Sequence, residues 1–180
     1  MPPPFLETER LFLRGFEPGD APALARNCND MNVVRWTSSH PFPYELKHAE
    51  EFIANREREY LENKAVVFGA FLKGSGDLVG GVGFRNLGTN ERGELGYLVA
   101  RAHWGHGYAT EFAGRAVRHA FEDMKLVRVH AGVFSGNDAS VRVLTKLGFK
   151  AEGVQRKHIC RFGTWHDLIL FGMLREDWKA

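Results

Sequence analysis

Residues 92–121, RGELGYLVARAHWGHGYATEFAGRAVRHAF, change pattern twice within one short stretch. The first part, "RGELGYLVA", reads as a strand. From Ala109 to Phe121, apolar residues fall at 109, 112, 113, 116, 117, 120 and 121, the stripe of an amphipathic helix held for three turns. Between strand and helix stand Gly105 and Gly107, at the helix mouth. Glycine is entropically costly to order, so two of them at a helix entrance need a reason. A tight turn is one. The other is an anion that must approach the backbone closely, because a helix N-terminus leaves N–H groups unpaired and carries partial positive charge. Such an interaction is worth about 0.3–1 kcal/mol, and about 2 when partly buried. The candidate anion site is therefore Gly105, His106, Gly107, Tyr108, Ala109 and Thr110, with the Thr110 hydroxyl as an added donor.

The pattern on either side is regular. "TERLFLRGF" alternates as a first strand, "EPGDAPALARNCND" and "HAEEFIANREREYLENK" read as helices, and "SSHPFPY" between them as an irregular loop. "AVVFGAFLK", a "GSGD" turn and "LVGGVGFRNL" form a hairpin of strands. After the central helix come the strand "VRVHAGVF", a short helix in "NDASVRVLTKLGF" stopped by Gly148, and a closing antiparallel pair, "AEGVQRKHICR" and "WHDLILFGML". No repeat or linker interrupts this order. The expectation is one α/β domain over residues 1–180, its sheet mostly antiparallel with one helical crossover.

Composition narrows the function classes. At 180 residues, 44% hydrophobic and 26% charged, the chain can bury a core without disulfides. The N-terminus lacks a signal-peptide pattern, and no window approaches the roughly 18 apolar residues of a membrane span. Cys28 and Cys160 are isolated, which favours free thiols and a cytoplasmic protein. A net charge of +2 is too small to suggest direct nucleic-acid binding. From Val141 to Arg161, however, Arg142, Lys146, Lys150, Arg156, Lys157 and Arg161 face only Glu152. That stretch is either a solvated surface or a site for a phosphate-rich small molecule.

Neither common nucleotide motif is present. No G-x-x-x-x-G-K-[ST] occurs, and a dinucleotide fingerprint begun at Gly105 fails at Thr110 and lacks its acidic ribose partner. His103 and His106 have helical metal-pair spacing but no third ligand nearby, so no metal is expected. A different comparison covers nearly the whole chain. "TERLFLR", "ELGYLV", "WGHGYATE", "NDASVRVLTKLGF", "AEG" and "WHD" occur in the order found in the GNAT N-acetyltransferases, and the chain resembles their RimJ/RimL-type, ribosomal-protein-alanine branch.

That resemblance implies a GNAT fold, with a mixed, mostly antiparallel sheet of about seven strands and about four flanking helices. It implies an enzyme that uses acetyl-CoA as co-substrate and transfers the acetyl group to a primary amine by direct attack on the thioester. By the same resemblance the glycine turn binds the pyrophosphate, with Trp104 where other GNAT proteins carry Gln or Arg. Main chain near Leu98 and Val99 binds the pantetheine arm, and Asn137 its end. Arg142 and Lys146 meet the adenosine phosphates, and Ser140 serves as general acid. Asn137 and Ser140 also read as an ordinary helix cap. The region after "AEG" offers no carboxylate, so His158 is the candidate base there, with Glu94 as the alternative, at a position where other family members carry a catalytic glutamate. Trp36, His40, Phe42 and Tyr44 are candidates to line the acceptor site or to cover the core. The acceptor stays open between a protein N-terminus and a small amine such as a polyamine, amino sugar or amino acid. Larger acyl groups, a non-catalytic coenzyme A-binding module and a homodimer stay open as well.

Overall fold

In the computed structural model, which describes residues 3–87 and 91–179, the strands join into one sheet. In chain order the elements are β1 (Leu6–Glu7), β2 (Leu11–Arg14), α1 (Ala21–Cys28), α2 (Met31–Val34), α3 (Leu46–Leu61), β3 (Ala65–Leu72), β4 (Leu78–Arg85), β5 (Arg92–Val99), α4 (Tyr108–Glu122), β6 (Arg128–Phe134), α5 (Asp138–Lys146), β7 (Lys150–Arg161) and β8 (Thr164–Leu174). The sheet runs β1-β2-β3-β4-β5-β6-β8-β7, so the last strand inserts between β6 and β7. Every neighbouring pair is antiparallel except β5 and β6, which the α4 crossover joins in parallel.

Eight strands and five α-helices exceed the expected seven and four among the described residues. The expected first strand, residues 8–16, is shortened to β2 because Thr8 and Leu11 close a turn, with Leu11 N–H donating to the Thr8 hydroxyl and Thr8 N–H donating to Leu11 O, both at 2.9 Å; β1 is an added strand ahead of it. The extra helix, α2, is a single turn capped by Asp30, whose carboxylate accepts from Asn32 N–H at 2.8 Å.

Two apolar layers hold the sheet. On one face, α4 buries Phe112, Ala113, Ala116, Val117, Ala120 and Phe121 against Val66, Phe68, Val82 and Phe84, the stripe that its spacing predicts. On the other, α1 and α3 pack Leu24, Cys28, Ala49 and Ile53 with Phe71 and Leu78. Cys28 and Cys160 are both free, the first buried and the second exposed. No helix among the described residues is long and apolar enough to cross a membrane.

The functional opening lies where the crossover strands part. β5 pairs with β6 only over Arg92–Glu94 and Arg128–His130, while β6 stays paired to β8 as far as Phe134. Beyond Glu94 the two strands diverge and leave an unfilled edge on β5.

Candidate active site

Main-chain alternation along β5 decides which groups line that edge. Ala100 N–H donates to Val79 O at 2.9 Å, and a Cβ added at Gly80 on β4 would strike Leu98 O, so even-numbered residues bond toward β4. Odd-numbered residues face the other way: Glu91 O accepts from Val127 N–H at 2.7 Å. Because N–H and C=O of one strand residue point to the same side, Tyr97 and Val99 present theirs to the opening. Of the two residues expected to offer main chain there, Val99 does and Leu98 does not. Leu98 is committed to β4, and its side chain packs with the α1–α3 layer. The indole of Trp104 donates to Val99 O at 2.8 Å, which ties the glycine loop to the strand end and leaves the Val99 amide for a ligand.

The loop itself fits an anion. Gly105 and Gly107 hold φ of +81° and +79°, the left-handed region that side chains disfavour by roughly 1–2 kcal/mol. Crowding is not the cause, since a Cβ at Gly105 would meet nothing within 4 Å. Gly107 caps α4 without any side-chain hydrogen bond, so the first-turn amides, Tyr108 to Thr110, have no side-chain acceptor. His106 Nδ1 lies 2.9 Å from Trp104 O, and the ring stacks on Tyr108 at 5.5 Å; His103 meets the same ring edge-on. Both histidines therefore act as packing for the loop. No group of three or more metal-ligating side chains occurs among the described residues.

Two residues of the first hairpin brace this loop, and their role is not readable from the alternation of "TERLFLRGF". Arg10 donates to His106 O at 3.0 Å, lies over the Tyr108 ring at 4.6 Å and pairs with Glu111 at 2.6 Å. Glu111 also accepts from Thr8 Oγ1 at 2.6 Å and from Arg10 N–H at 2.9 Å. Burial pushes the Glu111 carboxyl up, but these donors outweigh it and hold it below the usual range. The "TER" and "ATE" segments are thus the two halves of one latch.

Across the opening, Asn137 Oδ1 accepts from Ser140 N–H at 3.2 Å, so the capping reading of this pair holds. The Ser140 hydroxyl is engaged separately, 2.7 Å from the hydroxyl of Tyr97. Burial pushes the Tyr97 phenol up to about 12, although Ser140 pulls the other way. Arg142 and Lys146 project from α5, exposed and without an ion pair among the described residues.

The acceptor face is the opposite side of the sheet. Glu94 lies there, held by Asn86 at 2.7 Å and Arg85 at 3.4 Å, and its strand partner is His130. His130 is half-buried, its Nδ1 has no hydrogen-bond partner among the described residues, and burial lowers its pKa despite the nearby Glu94 charge. It lies in a cleft with Glu94 and the Arg128–Glu152 ion pair, a functional placement that no local spacing in the sequence announces. Trp36 reaches the same face, edge-on to His166, which stacks on Phe134 at 5.3 Å. His40 is fixed by Arg161, which donates to its carbonyl at 2.6 Å; burial, with Arg161 and Arg85 nearby, lowers its pKa to about 4.

Three candidates sit elsewhere. Tyr44 is 5% exposed and belongs to the smaller core behind His40. Phe42 points to solvent. His158 is exposed, in the stretch between Gln155 and Ile159 where β7 slips register against β8 and Lys157 takes a φ of +46°. Glu94 and Ser140 lie on opposite faces of the sheet, Ser140 beside Tyr97 and Glu94 beside His130.

Known proteins resemble this chain in sequence and in fold. The signature of the acetyltransferase (GNAT) domain matches residues 10–150. The chain is 31% identical over 173 residues to the uncharacterized N-acetyltransferase YoaA of Bacillus subtilis, covering 96% of this chain and 97% of that one. It is 27% identical over 119 residues to the ribosomal protein uS5-alanine N-acetyltransferase of Escherichia coli, covering 65% and 61% respectively. The fold superposes on Mycobacterium smegmatis RimJ in complex with CoA-disulfide with a TM-score of 0.86, at 24% identity, covering 97% of this chain and 90% of that one. The chain belongs to the GNAT acetyltransferase family. It is an N-acetyltransferase, and its relatives include ribosomal-protein-alanine enzymes.

Proposed function

We propose that the protein, working as one unit over residues 1–180, acetylates the α-amine of a polypeptide N-terminus with acetyl-CoA. The observation that carries the reading is the opening between β5 and β6, with the uncapped start of α4 at one end and Ser140 at the other. The amides from His106 to Thr110 would take the pyrophosphate. Gly105 and Gly107 allow the oxygens to come close, and Arg10, Arg142 and Lys146 supply charge for the phosphates. The free main-chain edge at Tyr97 and Val99 would align the pantetheine arm, and one of its amides would stabilise the oxyanion. Ser140 would hydrogen-bond the departing sulfur, which needs little help because a thiol of pKa about 8.5 leaves readily.

An α-amine has a pKa of about 7.7–8.0, so near pH 7.5 roughly a third is already neutral, whereas a lysine at about 10.4 is neutral about one time in a thousand. The acceptor face offers Glu94, tied to Arg85 and Asn86, and His130, whose pKa burial lowers. Such a set suits an amine that needs little deprotonation. The alanine-directed relative in Escherichia coli points the same way.

The test is calorimetric titration with acetyl-CoA, followed by thiol release with N-terminal peptides, spermidine and free amino acids in parallel. Turnover confined to peptides supports the proposal. Turnover on spermidine or amino acids alone replaces the acceptor, and tight binding with no turnover on any amine makes the chain a coenzyme A-binding module.

A further inference from the structure

Tyr97 and Ser140 have one hydroxyl proton each, and their oxygens are 2.7 Å apart. The Ser140 main-chain N–H is already spent on Asn137 Oδ1, so the pair must arrange its two protons locally. If Ser140 donates to Tyr97, the Tyr97 proton has one acceptor left within reach among the described residues, Ser140 O at 3.2 Å. Both protons are then consumed inside the protein, and nothing is offered to a ligand. If Tyr97 donates to Ser140 Oγ, the Ser140 proton is free to point into the opening. A hydroxyl that accepts one hydrogen bond is also a better donor of the next, because the chain polarises in one direction.

We propose that Tyr97 is a positioning residue for this reaction: its hydroxyl donates to Ser140 Oγ and thereby aims the Ser140 proton at the sulfur of coenzyme A. The inference rests on the reading of Ser140 given above. Tyr97 suits the task because its two ends do separate work. Its main chain belongs to the free edge of β5, while its ring packs into the α4–α5 layer and brings the hydroxyl up to α5. Its burial keeps the phenol protonated across the working pH range, so it is a permanent donor. During transfer the amine lone pair attacks the carbonyl carbon and the C–N bond forms. The C–S bond then breaks, with its electron pair going to sulfur. The proton shed by nitrogen balances the one the thiol finally holds, exchanged through water. Tyr97 and Ser140 keep their own protons and act by hydrogen bonding alone.

The test uses Tyr97→Phe, Ser140→Ala and the double variant, with two readouts on the full chain. The first is kcat and KM for acetyl-CoA at saturating acceptor. Tyr97→Phe keeps the ring, and is expected to lower kcat about 3- to 10-fold, the worth of one hydrogen bond, with KM nearly unchanged. The double variant should be no slower than Ser140→Ala, since Tyr97 acts through Ser140. The second readout is the pKa of the thiol of bound coenzyme A, followed by thiolate ultraviolet absorbance. It should lie below the free value of about 8.5 and rise in all three variants. If Ser140→Ala slows turnover and Tyr97→Phe alters neither kcat nor the thiol pKa, this inference falls and the Ser140 reading survives. Should Ser140→Ala turn over normally, the Ser140 reading itself fails, and this one with it. Additive losses in the double variant would mean that Tyr97 acts by packing, which also overturns the inference.

Discussion

The two helices that follow the parallel strands begin in opposite ways. α4 starts at Gly107, in a left-handed conformation with no side-chain cap, whereas α5 starts at Asn137, whose carboxamide accepts from Ser140 N–H. One helix leaves its first amides open and the other closes one of its own. Glycine in place of a capping side chain forgoes only about a few tenths of a kcal/mol, and it leaves the first amides open to an acceptor from outside the chain. The capped start loses nothing and uses its rigidity to hold a hydroxyl in place. In the proposed function, binding and chemistry divide between two N-termini on one face of the sheet.

Placing a carboxylate at the open start is the most severe way to break this contrast. Gly105→Asp has room for its side chain in the free protein, yet repels the phosphates. Acetyl-CoA affinity by calorimetry should fall by about 100-fold or more, while the melting temperature falls far less in proportion. Equal losses in both would show that the glycine serves only the turn.

Acidification probes the acceptor face, away from both helix starts. The His40 pKa is depressed to about 4, so the unfolded chain, near 6.5, binds the proton more tightly than the folded one. Stability is therefore whole above about pH 6.5 and is lost as pH falls toward 4, by about 1–3 kcal/mol in all. Thermal melts of His40→Gln should lack this drop between pH 6.5 and 4. If the variant follows the parent, the acid sensitivity lies elsewhere.

The latch can be loosened without touching the glycines. Glu111→Gln removes the charge that Arg10 and Thr8 grip, and should cost about 1–2 kcal/mol in denaturant unfolding. It should also weaken acetyl-CoA binding only slightly, since Arg10 stays beside the loop through His106 O.

At the closed start, Asn137→Ala should cost about 1 kcal/mol, a fall of about 2–4 °C in melting temperature for a chain of this size. Acetyl-CoA affinity measured beside it sharpens the comparison. A small change is expected for a cap, whereas a tenfold loss would mean that Asn137 also holds the pantetheine directly.

Local patterns were legible wherever one element decided them. The α4 stripe, the strand before it, the glycine turn and the Asn137 cap all depend on residues a few positions apart, and each stands where its spacing puts it. The loss of residues 8–10 from the expected strand did not show, because the Thr8–Leu11 turn interrupts an alternating pattern that fits an unbroken strand equally well. The setting of His158 was hidden for a related reason. Its distance from "AEG" along the chain is visible, but the register slip of β7 between Gln155 and Ile159 is not.

By itself the sequence determined the order of the main elements, the buried face of α4, the pair of glycines at its mouth and, through its motifs, the GNAT family. Only the tertiary structure decided that β5 and β6 separate after Glu94, that Val99 rather than Leu98 faces the gap, and that Arg10 meets Glu111 and Tyr97 meets Ser140. The physical reason is range. Helical periodicity, caps and turns act over three or four residues, whereas these contacts join groups 43 to 101 positions apart, and only the register of neighbouring strands brings them together.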